Sequence, residues 1–195
     1  MNALLLVVVL SQNVPKPPPP ECKTSGTQQD CGYHCRAELG EVRCARTPEG
    51  FCTRIAGQLA CWDPPEEVRL HGAGKATASC TAKRSDVACG YMCLDSPSNQ
   101  ACTQTPWGAC VTRFDSVACW DPSPAVVHTF FPDLGGAKCI STDLAWACGW
   151  DCKQSYQEVA CAQTPTGRCM VIKGKISCVD APVMSPSHAP VTTTK

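Results

Sequence analysis

The chain has 195 residues, 18 of them cysteine, and its 17 basic residues balance its 17 acidic ones. Cysteine at this density in a short chain signals a disulfide scaffold, in which covalent staples supply what a thin apolar interior cannot. Zero net charge leaves no electrostatic footprint for nucleic acid or an anionic membrane.

In chain order, Ala3 to Leu10 is an apolar run of signal-peptide type, with Val9 and Ser11 placed for cleavage after Ser11. The run falls far short of the roughly 20 apolar residues that span a bilayer, and the tail carries no second one. Residues 1–11 are therefore predicted to be a signal peptide, and no stable membrane anchor is expected. Residues 12–21 follow as a Pro-rich spacer, extended and semi-rigid from Pro15 to Pro20.

Next come three copies of one six-cysteine module. Module 1 (22–64) holds Cys22, Cys31, Cys35, Cys44, Cys52 and Cys61. Module 2 (80–122) holds Cys80, Cys89, Cys93, Cys102, Cys110 and Cys119. Module 3 (139–182) holds Cys139, Cys148, Cys152, Cys161, Cys169 and Cys178. In every module the cysteines step by 9, 4, 9, 8 and 9 residues, and none is left over. Other positions repeat with them. Gly32, Gly90 and Gly149 each precede an aromatic, namely Tyr33, Tyr91 and Trp150. Thr47-Pro48-Glu49-Gly50 recurs as Thr105-Pro106-Trp107-Gly108 and Thr164-Pro165-Thr166-Gly167. Trp62-Asp63-Pro64 recurs as Trp120-Asp121-Pro122 and, degraded, as Val179-Asp180-Ala181-Pro182.

Two linkers separate the modules, 65–79 and 123–138. Each carries a short apolar stretch, Val68-Arg69-Leu70 and Val126 to Phe131, read as a possible edge strand for a neighbouring module. Residues 183–195 form a polar tail expected to be disordered.

Within a module the signals are turns and short β segments, so the predicted fold class is small, disulfide-rich and mainly β: three tandem modules of short hairpins. Thr-Pro-x-Gly reads as a type I turn, and with Gly left-handed it becomes a bulged hairpin joining the strands of Cys44 and Cys52. The midpoint of Cys52 and Cys61 is Ala56-Gly57, with Phe114-Asp115 and Lys173-Gly174 as equivalents. A two-residue turn there puts the cysteines opposite one another at a non-hydrogen-bonded site, where Cα atoms approach to about 4.5 Å. Disulfides Cys52–Cys61, Cys110–Cys119 and Cys169–Cys178 are the resulting expectation. The same gap separates Cys22 from Cys31 and Cys35 from Cys44, so a consecutive pairing of all six is open, as are other pairings. Cys31 to Cys35 reads first as a strand whose aromatic packs over the staples, with a helical turn, which also puts both cysteines on one face, as the alternative.

Catalytic and metal chemistry find little support. Each module has one close cysteine pair, where a zinc site wants two, and no cofactor is expected. His34, His71, His128 and His188 lie near no nucleophile or carboxylate motif, and the repeat absorbs every thiol. Asp63, Asp121 and Asp180 read as turn formers. The repeated aromatics read first as module packing and second as a stacking surface for sugars. Residues that differ between modules at exposed turns are the candidates for specificity: Glu49, Trp107 and Thr166, with Phe51, Ala109 and Arg168 before the fifth cysteine.

The run Cys-Gly-Tyr-x-Cys, Cys-Ala-x-Thr-Pro-x-Gly-x-Cys and Cys-Trp-Asp-Pro resembles cysteine-rich repeats of exported bacterial proteins. That resemblance implies bacterial export and carries over no activity or site. A non-catalytic secreted, periplasmic or cell-surface protein is therefore expected, binding or structural in role, with an unknown protein or carbohydrate ligand. A secreted protease inhibitor or toxin-like effector is the alternative, disfavoured because Thr-Pro-x-Gly makes a tight reversal where a protease cleft takes an extended segment.

Overall fold

The computed structural model describes residues 17–184. The expected signal peptide, residues 12–16 of the spacer and residues 185–195 of the tail, His188 included, lie outside the described residues. Module 1 folds as β1 (Glu21–Ser25), β2 (Gln28–Glu38) and β3 (Glu41–Ala45), then β4 (Phe51–Ile55) and β5 (Gln58–Trp62). Module 2 follows linker helix α1 (Glu66–His71), with β6 (Ser79–Lys83), β7 (Asp86–Asp95), β8 (Gln100–Thr103), β9 (Ala109–Arg113) and β10 (Ser116–Trp120). After α2 (Pro124–Phe130), module 3 has β11 (Lys138–Ser141), β12 (Trp146–Ser155), β13 (Glu158–Ala162), β14 (Arg168–Ile172) and β15 (Lys175–Val179). Each module is thus a three-stranded antiparallel sheet and a separate two-stranded hairpin. The fold is mainly β and disulfide-rich.

Consecutive cysteines are paired throughout, in nine disulfides that leave no free cysteine among the described residues. Hairpin register explains the spacing. Outward from Ala56-Gly57 the partners are Ile55 and Gln58, Arg54 and Leu59, Thr53 and Ala60, then Cys52 and Cys61. Their Cα atoms lie 4.0 Å apart, the close approach of a non-hydrogen-bonded pair. Ala56 at φ 48° and Gly57 at φ 84° carry the signature of a type I′ turn, whose twist matches the strands.

The long second strand does double duty. β1 pairs with the first half of β2, and β3 with the second half, across a register shift between Tyr33 and Arg36. His34, Met92 and Asp151 sit in this bulge with φ of 48°, 43° and 42°. A Cβ on Gly32 would lie 2.2 Å from the Ala45 carbonyl oxygen, so no side chain fits there. The bulge turns the strand back, and the first hairpin stacks on the second: the Cys44 amide donates to Asp30 Oδ2 at 2.9 Å, and the Cys35 amide to Glu21 Oε1 at 3.2 Å.

Two expectations are corrected here. Thr-Pro-x-Gly closes a turn, with the Gly50 amide donating to the Thr47 carbonyl at 3.1 Å, yet it joins two different sheets and makes no hairpin. Gly50 is also outside the left-handed region. Its missing side chain serves close packing, because a Cβ would meet Asp63 Oδ1 at 2.3 Å. The linker stretches are helical, and no edge strand forms from them. α1 starts after Pro64-Pro65 with Glu66 and Glu67 in its first turn and Arg69 and His71 in its last, matching the helix dipole. α2 has Ser123 as N-cap, accepting from the Val126 amide, and Pro124 in its first turn.

Replacing Cys110 and Cys119 together by alanine is expected to cost roughly 2–3 kcal/mol, the loop entropy that a short cross-link removes from the unfolded chain. The urea midpoint of the oxidised protein measures it.

Candidate functional site

The repeated aromatics lie at the joints between modules. The Trp62 indole Nε1–H of module 1 donates to Gln104 Oε1 of module 2 at 3.0 Å, and its ring stands edge-on to Tyr91 at 5.4 Å. Val68 of α1 completes this cluster. At the second joint, Trp120 Nε1–H donates to Gln163 Oε1 at 3.2 Å, and its ring stands edge-on to Trp150 at 5.4 Å. Val126 and Val127 of α2 and Leu134 seal it. Edge-to-face contacts of this kind add to the area buried. The expectation that these rings pack their own module over its staples is thus corrected: module n's Trp meets module n+1's aromatic.

The first and third modules differ from the others at these positions. In module 3 Val179, 69% exposed, stands where modules 1 and 2 have Trp62 and Trp120. In module 1 Arg46 stands where modules 2 and 3 carry the Trp-binding glutamine. Arg46 keeps one contact of that glutamine: its Nη1 donates to the Cys31 carbonyl at 2.8 Å, as Gln104 Nε2 does to the Cys89 carbonyl at 3.1 Å. It also pairs with Asp30 at 2.9 Å. Ala88 and Ala147 occupy the Asp30 position in the other modules.

The turn-position candidates divide. Glu49, Thr166 and Arg168 are exposed. Phe51 is half-buried, 5.8 Å from Trp62. Ala109 is buried at 3% exposure. Trp107 is half-buried and touches the clusters of both joints, with Phe131 edge-on at 5.9 Å. Those last three positions therefore present no free tip. Asp63 accepts from the Arg46 and Thr47 amides and the Thr47 hydroxyl at 2.7–2.9 Å, and Asp121 and Asp180 repeat this clamp. Among the histidines, His71 stacks on Phe131 at 4.4 Å, and His34 Nε2 lies 2.9 Å from the Pro48 carbonyl. Among the described residues no group of three or more His, Cys, Asp or Glu is placed to hold a metal ion.

Sequence reasoning overlooked the hairpin tips. From the Leu39-Gly40 turn onward, every successive pair of turns among the described residues is in contact. Gln28 and Leu39 line one groove, and Arg54 reaches Glu38 at 3.5 Å. Gln58 donates to the Ser85 carbonyl at 2.8 Å, Gln100 to the Asp86 carbonyl at 2.6 Å, and Ser96 to the Asp115 carbonyl at 2.6 Å. Arg113 donates to the Asp143 carbonyl, Thr142 to the Gln157 carbonyl at 3.0 Å, and Ser155 to the Gly174 carbonyl at 2.8 Å. All the turns therefore share one edge of the stack, opposite the helices and bulges. Along it Leu39, Phe114, Leu144 and Tyr156 are 88%, 71%, 63% and 95% exposed. Leu39, Phe114 and Tyr156 also hold φ near 50°, which is uncommon for bulky residues. The midpoint of each cysteine pair marks these tips in the sequence.

A cavity of about 720 Å³ is an open groove on module 1 lined by Gln28, Asp30, Leu39, Glu41, Arg43, Arg46 and Asp63 among others. Asp30 pairs with Arg46 and Glu41 with Arg43, while Asp63 forms no ion pair among the described residues. The Arg46 guanidinium holds the Asp30 carboxyl below its ordinary value, and the Arg43 guanidinium does the same for Glu41.

No protein-family model, curated protein or solved structure matches the chain.

Trp120→Ala is expected to cost about 3–5 kcal/mol by opening a packed joint, whereas Val179→Ala, at an exposed position, stays within about 0.5 kcal/mol; urea unfolding compares them. Because folding lowers the Asp30 pKa, its contribution is present above the unfolded carboxylate value of about 4 and is lost as pH falls through the lowered folded value. Asp30→Ala therefore flattens the acid limb of a stability-against-pH profile below about pH 4, without steepening it near neutrality.

Proposed function

We propose that the chain is an exported bacterial, non-catalytic binding protein that presents its turn edge to a partner at the cell surface. The observation that carries this reading is the division of labour between positions. The repeated aromatics, aspartates, glycines and cysteines are used in packing, clamps or staples. The tips that vary, above all Phe114, Leu144 and Tyr156, stand in solvent as bulky anchors. Large aromatic and aliphatic side chains on a rigid frame are the usual energetic centres of protein interfaces. Nine disulfides fit an extracellular or otherwise oxidising compartment. No helix among the described residues is long and apolar enough to cross a membrane. With every thiol paired, a cysteine nucleophile is not available, and the clamped aspartates are occupied by backbone amides.

The test uses fluorescently labelled, oxidised protein on intact cells of the producing organism. Saturable binding is expected, and Phe114→Ser, Leu144→Ser and Tyr156→Ser together should weaken it at least about tenfold with the unfolding midpoint nearly unchanged. Absence of saturable binding, or binding indifferent to the triple substitution, overturns the reading.

A further inference from the structure

The three modules are an internal comparison, and it singles out the groove of module 1. Asp30, Arg43 and Arg46 line it; at those positions module 2 has Ala88, Ala101 and Gln104, and module 3 has Ala147, Ala160 and Gln163. The scaffold evidently tolerates small neutral residues there. Arg46 and Asp30 have a structural reason, because they pair with each other and hold the Cys31 carbonyl and the Cys44 amide. Arg43 has none of that kind. Its side chain is 59% exposed, and its Nε donates to Glu41 Oε1 at 2.9 Å, but its two Nη groups donate to no protein atom among the described residues.

At about 720 Å³ the groove lies within the roughly 300–1,000 Å³ of small-molecule sites. Its lining is mainly polar, unlike the apolar pockets that take drug-like ligands. The polar atoms left over are of both kinds. Arg43 Nη and the Gln28 amide are free to donate, and Asp63 Oδ2 and the Gln28 carbonyl oxygen are free to accept, since Asp63 spends only Oδ1 on its turn. The formal charges are tied in the Asp30–Arg46 and Glu41–Arg43 pairs, and the third carboxylate, Asp63, disfavours an anion. A ligand that donates and accepts at closely spaced points without net charge satisfies such a lining. Hydroxyl groups on a sugar ring do this. Leu39, at the rim, supplies an apolar ledge for a ring face.

We infer that the module 1 groove, lined by Gln28, Leu39, Arg43 and Asp63, binds a neutral oligosaccharide, with Arg43 as its principal donor. This site shares the turn edge at Leu39 but uses none of Phe114, Leu144 and Tyr156, so either proposal can fail without the other.

The experiment is calorimetric titration of the full oxidised protein with cello-, malto-, chito- and xylotetraose, and with tetragalacturonate as the anionic control. One neutral tetrasaccharide is expected to bind with one-to-one stoichiometry. Arg43→Ala, which installs the residue that modules 2 and 3 already carry, should weaken it at least about tenfold, the loss of charge-assisted hydrogen bonds. Arg43→Lys, retaining charge without the fork, should fall between the two. Ala109→Ser, far from the groove in module 2, should leave binding unchanged and controls for general perturbation. Tight binding of tetragalacturonate alone, no binding of any neutral member, or equal affinity in Arg43→Ala overturns the assignment.

Discussion

The whole molecule depends on a register: two cysteines nine residues apart, facing each other as the fourth pair of a hairpin with a tight turn. The hairpin brings their Cα atoms to about 4 Å, and the sulfur bridge then fixes turn, twist and pairing at once. An isolated two-stranded hairpin is marginal in water, so neither the strands nor the staple would suffice alone. Where the loop is longer, as at Ser96 to Asn99, the same cysteine separation still places the bridge across paired strands.

Stapled hairpins must still be stacked, and two devices do it. Inside a module the work is polar. The bulge after Gly32 folds β2 back, the Asp63 clamp ties the Thr-Pro-x-Gly turn to the end of β5, and Glu41 accepts from the Leu59 amide at 3.4 Å. Asn99 and Glu158 repeat that last contact at 2.6 and 3.3 Å. Between modules the work is apolar and aromatic, with one indole hydrogen bond to set the orientation. Trp107 belongs to the middle module and is the residue that reaches both joints. Its bulk has a reason that Glu49 and Thr166, with one neighbouring joint each, do not share.

Val179 stands in module 3 where the other modules have tryptophan, and Arg46 stands in module 1 where the others have its glutamine acceptor; among the described residues neither takes part in a joint. Function then falls to what the stack does not consume: the tips along one edge, and the groove on the first module that Asp30 and Arg46 help to line. A tip such as Tyr156 buries almost none of its surface while holding a left-handed backbone conformation, a combination that packing does not explain.

Much of this architecture is local, and local features are legible in a sequence. Six cysteines repeated without insertion define the modules, the midpoint of Cys52 and Cys61 places a tight turn, and β-rich, disulfide-bearing hairpins follow from period and register. What only the tertiary structure decided is everything that involves a neighbour. The linker stretches became helices because Val68, Val126 and Val127 are buried against a joint, although Ser123-Pro124 and Glu66-Glu67 were readable start signals. Trp62 and Tyr91 are far apart along the chain, so nothing in either module's own pattern says that they meet. The exposed edge likewise required knowing that β2 doubles back. The spacing of cysteines specifies each hairpin, because a disulfide across paired strands answers to local register; the order in which hairpins face one another answers to long-range contacts that no short-range pattern encodes.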